Sequence, residues 1–241
     1  MIKSAVSKVR SRLGRNSNDT SLAREIRDAY NGIYGDGASS SWHQQLEPEE
    51  LMKYVIGNRS RVLDIGSGLG ENAISWATYE GHSFVVTGID ISDKGVERSR
   101  RNARKRGAKV KFVVADFSTY KIRKFDLVTS FFVLNYAGGE EEKEAFVRKM
   151  MEHTEPGGKI IIKCYITDPK DGNEVPIYPE SRLRELFRSS GWRVLDYREY
   201  ESTVAVYGDI SKPGSVLYSE QQNHSAFIVA QAPELLGAKR G

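Results

Sequence analysis

Apolar residues recur at helical spacing in the first part of the chain and in short consecutive runs after residue 60. Two stretches have the helical spacing: Ile2, Val6, Val9 and Leu13, and then Leu22, Ile26, Tyr30 and Ile33. A glycine- and serine-rich loop follows at residues 35–41, and Pro48 begins a short helix that ends near Gly57. We therefore expect a helical segment over residues 1–46, ahead of a main domain over residues 47–241.

From residue 61 onward, the apolar runs alternate with amphipathic stretches that mostly end at glycines. The runs predict seven strands, at residues 62–65, 84–89, 110–114, 125–129, 159–165, 192–200 and 225–231. Residues 201–223 are predicted to be irregular. This alternation predicts an α/β fold, in which a doubly wound, mostly parallel sheet has helices on both faces. The last two strands, with no helix between them, predict an antiparallel hairpin at the sheet edge.

Composition narrows the class of protein. The chain has 241 residues, 39% of them hydrophobic, which is ordinary for a globular domain. No apolar run approaches the roughly 18 residues that a membrane span needs, and the N-terminus lacks the apolar core of a signal peptide. Cys164 is the only cysteine, so no internal disulfide can form. We expect a cytoplasmic protein with no metal site and no membrane partner.

The net charge of +4 is concentrated at the N-terminus, where residues 1–27 carry seven basic and two acidic side chains. Such an arm could bind nucleic acid or an acidic partner, although a solvated helix face explains the charge as well. The apolar stripes between the basic residues need a surface to bury against, which a nucleic-acid arm does not. We therefore predict that residues 1–46 form a lid, which disfavours nucleic acid as a partner.

The candidate chemistry starts with a glycine loop between the first strand and the next helix, Asp64-Ile65-Gly66-Ser67-Gly68-Leu69-Gly70. Ligands of open α/β sheets bind at the carboxyl ends of the strands, where this loop lies. A dinucleotide-binding loop would place its last glycine where this chain has Glu71. A carboxylate there repels a pyrophosphate. The loop therefore suits a cofactor without phosphates, and Asp64 suits one with an ammonium group.

Acidic residues also follow the second and third predicted strands. Asp90 comes at the spacing expected of a carboxylate that accepts ribose hydroxyls, although Ser92 and Asp93 could make it only a helix-start residue. Asp116 and Phe117 follow the third strand, where they could bind an amino group and stack on a base. A simple strand-to-loop cap is the alternative for that pair.

Together these motifs resemble the class I S-adenosylmethionine (SAM)-dependent methyltransferases. The resemblance covers about residues 50–165 and includes two further motifs, Phe125-Asp126-Leu127-Val128-Thr129-Ser130 and Glu155-Pro156-Gly157-Gly158-Lys159. It implies a seven-stranded sheet of order 3-2-1-4-5-7-6 with strand seven antiparallel. The flanks are similar to the tellurite-resistance and thiopurine type of small-molecule methyltransferase, in Trp42, Pro48, the segment at 177–187 and His224 just before the last strand.

The resemblance also implies roles for individual residues. The expected SAM-binding residues are Trp42, Leu46, Asp64, Gly66, Ser67, Gly68, Gly70, Asp90, Ile91, Asp116, Phe117 and Phe131. Within this set, Gly66 and Gly68 line the methionyl part and Asp90 accepts the ribose hydroxyls. Asp116 and Phe117 bind the adenine, and Trp42 and Leu46 cover the cofactor. Many small-molecule members have a histidine where this chain has Asn135 or Tyr136, so a base there is in doubt.

Methyl transfer needs mainly an aligned acceptor, since the methyl group of SAM is already activated. The candidate acid–base residues are His224 and Tyr136, with His43 and Tyr34 as further candidates; for His224 a hydrogen-bonded structural role is the slightly favoured interpretation. No Asn-Pro-Pro-Tyr or Asp-Pro-Pro-Tyr motif follows the fourth strand, which disfavours methylation of adenine amino groups in nucleic acid. Cys164 has no Pro-Cys context, which disfavours a cysteine-nucleophile mechanism on pyrimidines. A small-molecule acceptor is the leading prediction. The alternatives are an RNA or peptide acceptor recruited by the basic arm, and a non-catalytic SAM-binding regulator.

Overall fold

The computed structural model describes residues 20–35, 51–55, 57–121, 123–165, 180–206 and 219–234. Its helices are α1 (Thr20–Ile33), α2 (Glu71–Ala77), α3 (Asp93–Lys105), α4 (Glu140–Glu152) and α5 (Glu180–Ser189), with a short 3₁₀ helix at Leu134–Tyr136. Its strands are β1 (Arg61–Ile65), β2 (Val85–Asp90), β3 (Val110–Val114), β4 (Phe125–Phe131), β5 (Thr154–Tyr165), β6 (Arg193–Val206) and β7 (Ser219–Gln231). None of the helices in these ranges is long and apolar enough to cross a membrane.

The strands form one seven-stranded sheet of order β3-β2-β1-β4-β5-β7-β6. Strands β1 to β5 are parallel, and β7 runs antiparallel to both β5 and β6. The doubly wound fold predicted from the sequence is therefore confirmed, including the strand order that the resemblance implies. The carboxyl ends of β1, β2 and β4 meet at one edge of the sheet, which is called the catalytic edge below.

Side chains alternate between the two faces of each strand, so the sheet separates two hydrophobic clusters. In β1, Leu63 and Ile65 belong to the cluster beneath α4 and α5, whereas Val62 belongs to the cluster beneath α2 and α3. Because both faces are covered, the parallel strands are mostly apolar, and a buried polar residue in them stands out. Asp64, Thr129 and Ser130 are such residues, and all three are fully buried near the catalytic edge.

The predicted irregularity of residues 201–223 is wrong for residues 201–206 and 219–223, which extend β6 and β7. The two strands pair with each other from Arg193↔Gln231 to Val206↔Ser219, but β7 pairs with β5 only through residues 225–231. The outer half of this hairpin therefore projects beyond the rest of the sheet, where a strand needs no apolar face. His224 lies within β7, paired with Glu201, and not just before the strand as predicted.

Candidate functional site

The glycine loop turns the chain sharply from β1 into α2. The backbone N–H groups of Gly66 and Ser67 both donate to the carbonyl of Ile89, at 2.8 and 2.9 Å, which ties the loop to the end of β2. Gly66, Gly68 and Gly70 all have positive φ, at 70°, 51° and 85°. A Cβ on Gly66 would also lie 2.1 Å from Cγ2 of Val133. Only glycine satisfies both the dihedral angles and the packing of this loop.

Asp64 is a buried carboxylate with one oxygen unsatisfied. Its Oδ1 accepts a hydrogen bond from the Thr129 hydroxyl at 2.9 Å, while Oδ2 has no hydrogen-bond partner among the described residues. Burial raises the pKa of Asp64 to about 7, and the Thr129 hydrogen bond opposes that rise. The nearby Ala73 amide also lowers this pKa. A buried polar atom of this kind indicates a site for a ligand group, here a cation.

Two hydroxyls near Asp64 are likewise buried without a hydrogen-bond partner in the described part of the chain, those of Ser67 and Ser130. Ser67 belongs to the glycine loop, and Ser130 pairs with Ile65 where β1 and β4 end. The catalytic edge therefore holds three buried oxygens that have no hydrogen-bond partner among the described residues, one each from Asp64, Ser67 and Ser130. No group of three or more potential metal ligands occurs among the described residues.

Asp90, the last residue of β2, fixes the far side of the loop. Its Oδ2 accepts from the Gly68 amide and its Oδ1 from the Ser92 amide, both at 2.8 Å. Burial raises the pKa of Asp90, and these two amides counteract it. Ser92 caps α3 by accepting the Gly95 amide at 2.9 Å. Asp90 thus joins the loop to the start of α3, and each carboxylate oxygen retains a lone pair for a ligand.

The C-terminal end of α1 lies over the loop. Tyr34 is buried, and a Cβ on Gly68 would lie 2.8 Å from its hydroxyl oxygen. The ring of Tyr30 packs 5.7 Å from that of Tyr34 and meets Tyr136 edge-on at 5.6 Å. Burial raises the pKa of Tyr30 and of Tyr34 well above 10. These two phenols stay neutral, so they can donate hydrogen bonds but cannot act as bases.

Asn31 fastens α1 to the start of α3. Its side-chain amide donates to Oδ1 of Asp93 at 2.6 Å, and its Oδ1 accepts from the Ser92 hydroxyl at 2.6 Å and from the Lys94 amide at 3.3 Å. Arg98 adds two longer bonds of 3.3 Å to the carbonyls of Tyr34 and Gly35. The helix is thereby held over the glycine loop by polar contacts to α3.

The chain leaves β4 through a strained turn. Phe132 has φ 60°, and it is the one residue other than glycine with positive φ in the described part of the chain. Its amide donates to the Lys163 carbonyl at 2.7 Å, which holds the turn against β5. The turn places Val133 against Gly66 and brings Tyr136 to Tyr30. An aromatic residue in this conformation costs about 1–3 kcal/mol, which is typical of functional sites.

The other predicted SAM-binding residues that the structure describes lie at or just after the ends of β2, β3 and β4. Asp116 is half-buried, and its Oδ1 accepts from the Ser118 amide at 2.8 Å. The ring of Phe117 is buried and packs 4.9 Å from Phe146. Its contact with a base stays a prediction. Ile91 and Phe131 are half-buried at the ends of β2 and β4.

Several residues singled out from the sequence lie outside the described residues, namely Trp42, His43 and Leu46, together with the side chain of His224. Cys164 is buried, and burial raises the pKa of its thiol to about 12. A thiol with a raised pKa is a poor nucleophile, because little of it is thiolate near neutral pH.

Sequence reasoning missed three residues of the site: Asn31, Thr129 and Ser130. For Thr129 and Ser130 a signal was available, because two hydroxyl residues end an otherwise apolar strand. For Asn31 there was none, since an asparagine on a helix surface has no distinguishing spacing.

The sequence of this chain is similar to those of known methyltransferases. Residues 62–158, from β1 to the middle of β5, match the model of a methyltransferase domain. The chain is 30% identical over 174 residues to phosphoethanolamine N-methyltransferase 1 of Triticum aestivum, covering 71% of this chain and 32% of that protein. The chain thus spans about a third of the length of such curated relatives.

Solved structures share the fold at lower identity. Magnesium protoporphyrin IX methyltransferase from Synechocystis PCC 6803, solved with bound SAM, matches with a TM-score of 0.60 at 20% identity, covering 87% of this chain and 96% of that one. TehB from Haemophilus influenzae matches with a TM-score of 0.60 at 18% identity, covering 86% and 66%.

Proposed function

We propose that the chain transfers a methyl group from SAM to a small-molecule acceptor, using residues 62–158, which match a methyltransferase domain, on a fold that solved SAM-binding methyltransferases share. The observation that carries the proposal is the pair of buried carboxylates, Asp64 and Asp90, on the two sides of a glycine loop that Glu71 closes. SAM offers an ammonium group and two ribose hydroxyls to carboxylates and has no phosphate to be repelled. The unsatisfied Oδ2 of Asp64 fits that ammonium group.

Different residues of the chain would bind different parts of the cofactor. We assign the methionyl part to Asp64, Gly66, Ser67, Gly68 and Gly70, the ribose to Asp90 and Ile91, and the adenine to Asp116 and Phe117. Phe131, Trp42 and Leu46 would enclose the cofactor from the acceptor side and the N-terminal side. Support for the ribose assignment is the strongest, because two amides already hold the Asp90 carboxylate in place.

SAM, when bound, supplies a methyl group on a sulfonium that is already activated for displacement. The residues of the chain then need to orient the acceptor and exclude water. The rings of Tyr30, Tyr34 and Tyr136 form an aromatic wall that favours a cation by cation–π attraction. Tyr136 and His224 remain the proposed acid–base residues for an acceptor that must lose a proton. An amine that is already neutral would need neither of them.

Binding and turnover tests examine the proposal separately. Calorimetry should show binding of SAM and of S-adenosylhomocysteine and none of NAD, because Glu71 stands where a pyrophosphate needs bare amides. Acceptors are then screened by the release of S-adenosylhomocysteine, beginning with phosphoethanolamine and ethanolamine, since the relatives named above methylate the former. NAD binding without SAM binding would refute the cofactor. SAM binding with turnover only on RNA or peptide would refute the acceptor class.

We further propose that α1 is the described part of a lid formed by residues 1–46. Its support is the polar clasp of Asn31 on α3 and the position of Tyr34 over Gly68, beside the carboxylate that would bind the ribose. A bound cofactor would then lie between α1 and the glycine loop. Closing such a segment excludes water from the reacting groups.

Hydrogen exchange tests the lid. Protection across residues 20–46 is expected to rise when S-adenosylhomocysteine binds, and Asn31→Ala should reduce that rise and weaken SAM binding several-fold. Arg27→Ala is the matched control, because Arg27 lies exposed on the same helix and, among the residues that the structure describes, is paired only with Asp28. Identical exchange with and without ligand would contradict the lid. Steeply salt-dependent binding of RNA would instead favour the RNA-acceptor alternative.

A further inference from the structure

The edge of the sheet opposite the catalytic edge carries an unusual concentration of positive charge. Five of the eight residues from 104 to 111 are basic, at the end of α3 and the start of β3: Arg104, Lys105, Arg106, Lys109 and Lys111. Three more basic residues, Lys121, Arg123 and Lys124, precede β4. All eight side chains are exposed. These eight residues are called the amino-edge patch.

The charges of the amino-edge patch are not neutralised by neighbours. None of its eight side chains forms an ion pair within the described residues, whereas cations elsewhere do: Arg101 is bound to Glu97 and Arg148 to Glu144. The two carboxylates at the start of β4 and β5, Asp126 and Glu155, are already paired with Arg61. The patch therefore presents a strong positive potential to solvent.

Structural needs account for only part of this charge. One or two cations in the last turn of α3 suffice to balance its helix dipole, and a lysine on the edge strand β3 prevents pairing with another chain. Neither reason applies to residues 121–124, because β4 lies in the middle of the sheet between β1 and β5. Eight cations that lack an ion-pair partner among the described residues repel one another, and a polyanionic partner would relieve that repulsion.

The patch is too far from the cofactor loop to take part in methyl transfer. Strand β4 separates the two edges with seven residues, which is about 20 Å at the rise of a β-strand. A partner bound there would leave the catalytic edge facing away from it. The amino-edge patch is therefore a docking surface and not an acceptor site.

We propose that the amino-edge patch attaches the protein to the surface of an anionic lipid bilayer. Its charges lie on both sides of the sheet, since α3 packs on one hydrophobic cluster and Tyr120, just before Lys121, packs on the other. Such a two-dimensional array matches a layer of headgroups, whereas a nucleic acid follows a one-dimensional path. Val85, half exposed at 51%, lies at the same edge beside the strand that begins after Lys109.

Two further points favour lipid over nucleic acid. Neither basic segment of the patch contains an aromatic side chain on which a base could stack. Cations near an anionic bilayer act additively, so a patch of this size gives useful affinity without inserted apolar groups. The expectation of no membrane partner rested on the lack of an apolar span, which does not bear on attachment by charge.

Vesicle co-sedimentation of the full chain tests the proposal. Binding to vesicles of phosphatidylglycerol and phosphatidylcholine should exceed binding to phosphatidylcholine alone and should fall at high salt. Each neutralised cation is expected to weaken binding about fivefold, so Arg104→Gln/Lys105→Gln/Lys109→Gln should bind about 100-fold more weakly. The control Arg101→Gln/Arg148→Gln/Arg188→Gln removes the same charge from ion-paired positions. Residues 1–27 are unchanged in both variants, so their charge cancels from the comparison.

Vesicle binding by the patch variant, compared with that by the control variant, decides between the possible outcomes. A patch variant that binds anionic vesicles much more weakly than the control, while both bind SAM like the wild type, supports the proposal. Equal binding by the two variants, or equal binding to neutral and anionic vesicles, overturns it. Tighter binding of a single-stranded oligouridylate than of vesicles at about 0.15 M salt, lost in the patch variant, overturns it in favour of nucleic acid.

Discussion

Asp90→Ala is expected to weaken SAM binding by at least tenfold while the protein still folds. The carboxylate would accept both ribose hydroxyls, and each hydrogen bond to a charged group contributes about 1.5–3 kcal/mol. Calorimetry with SAM and with S-adenosylhomocysteine measures the loss, and both ligands should lose affinity equally because they share the ribose.

The same substitution also has a structural cost that must be separated from the binding effect. It leaves the buried amides of Gly68 and Ser92 without their acceptor, and we expect the free energy of unfolding to fall by about 1–3 kcal/mol. Asp90→Asn is the matched control, because its carbonyl can still accept one of these amides but lacks the charge. If Asp90→Ala is less stable yet binds SAM normally, Asp90 serves only to start α3.

Asp64→Asn is expected to change both the pH dependence of stability and the proton balance of SAM binding. The Asp64 pKa of about 7 lies above the ordinary value of 3.8, so the folded state holds this proton more tightly than the unfolded chain does. Its contribution to stability is therefore present at low pH and is lost as the pH rises through about 7. Between about pH 5 and pH 8 the loss amounts to about 2–3 kcal/mol. Asparagine does not titrate, so this part of the pH dependence should vanish in urea unfolding experiments.

Binding of the SAM ammonium group would require the charged form of Asp64. Near pH 7 the wild type should therefore release about half a proton on binding SAM, which calorimetry in buffers of different ionisation enthalpy detects. Asp64→Asn should release none and bind at least tenfold more weakly. Thr129→Val provides the matched control, because it removes the hydrogen bond that lowers the Asp64 pKa and should move the proton release to higher pH. Proton release unchanged in Asp64→Asn would show that Asp64 does not meet the ammonium group.

The sequence predicted most of the sheet because parallel strands buried on both faces leave an unmistakable pattern. Strand β3 is found at the predicted residues, and β1, β2 and β4 differ from prediction by one or two residues at their ends. The outer half of the β6–β7 hairpin was missed, because Ser219-Glu220-Gln221-Gln222-Asn223 has no apolar alternation to indicate a strand. This polar segment forms a strand because it pairs with β6.

In the site, too, the features encoded by neighbouring residues could be predicted from the sequence, whereas contacts between distant residues could not. The glycine loop and Asp90 are defined by spacing within a single strand–loop–helix unit, so they could be found from the sequence alone. The clasp of Asn31 on Ser92 and Asp93 joins residues 61 and 62 positions apart, and no local pattern encodes it. The strained conformation of Phe132 is equally hidden, because a phenylalanine gives no indication of positive φ.

The sheet separates two hydrophobic clusters, and each cluster contains one buried tryptophan whose fluorescence can be measured. Trp76 is buried in the cluster beneath α2 and α3, and Trp192 in the cluster beneath α4 and α5. Their indoles are 3% and 9% exposed, so each should emit at short wavelength in the folded protein and shift to the red when its own side opens. With Trp42, the third tryptophan of the chain, also replaced by phenylalanine, exchanging one of the two buried tryptophans would let fluorescence report the loosening of a single face of the sheet, and show whether both halves of the core melt together.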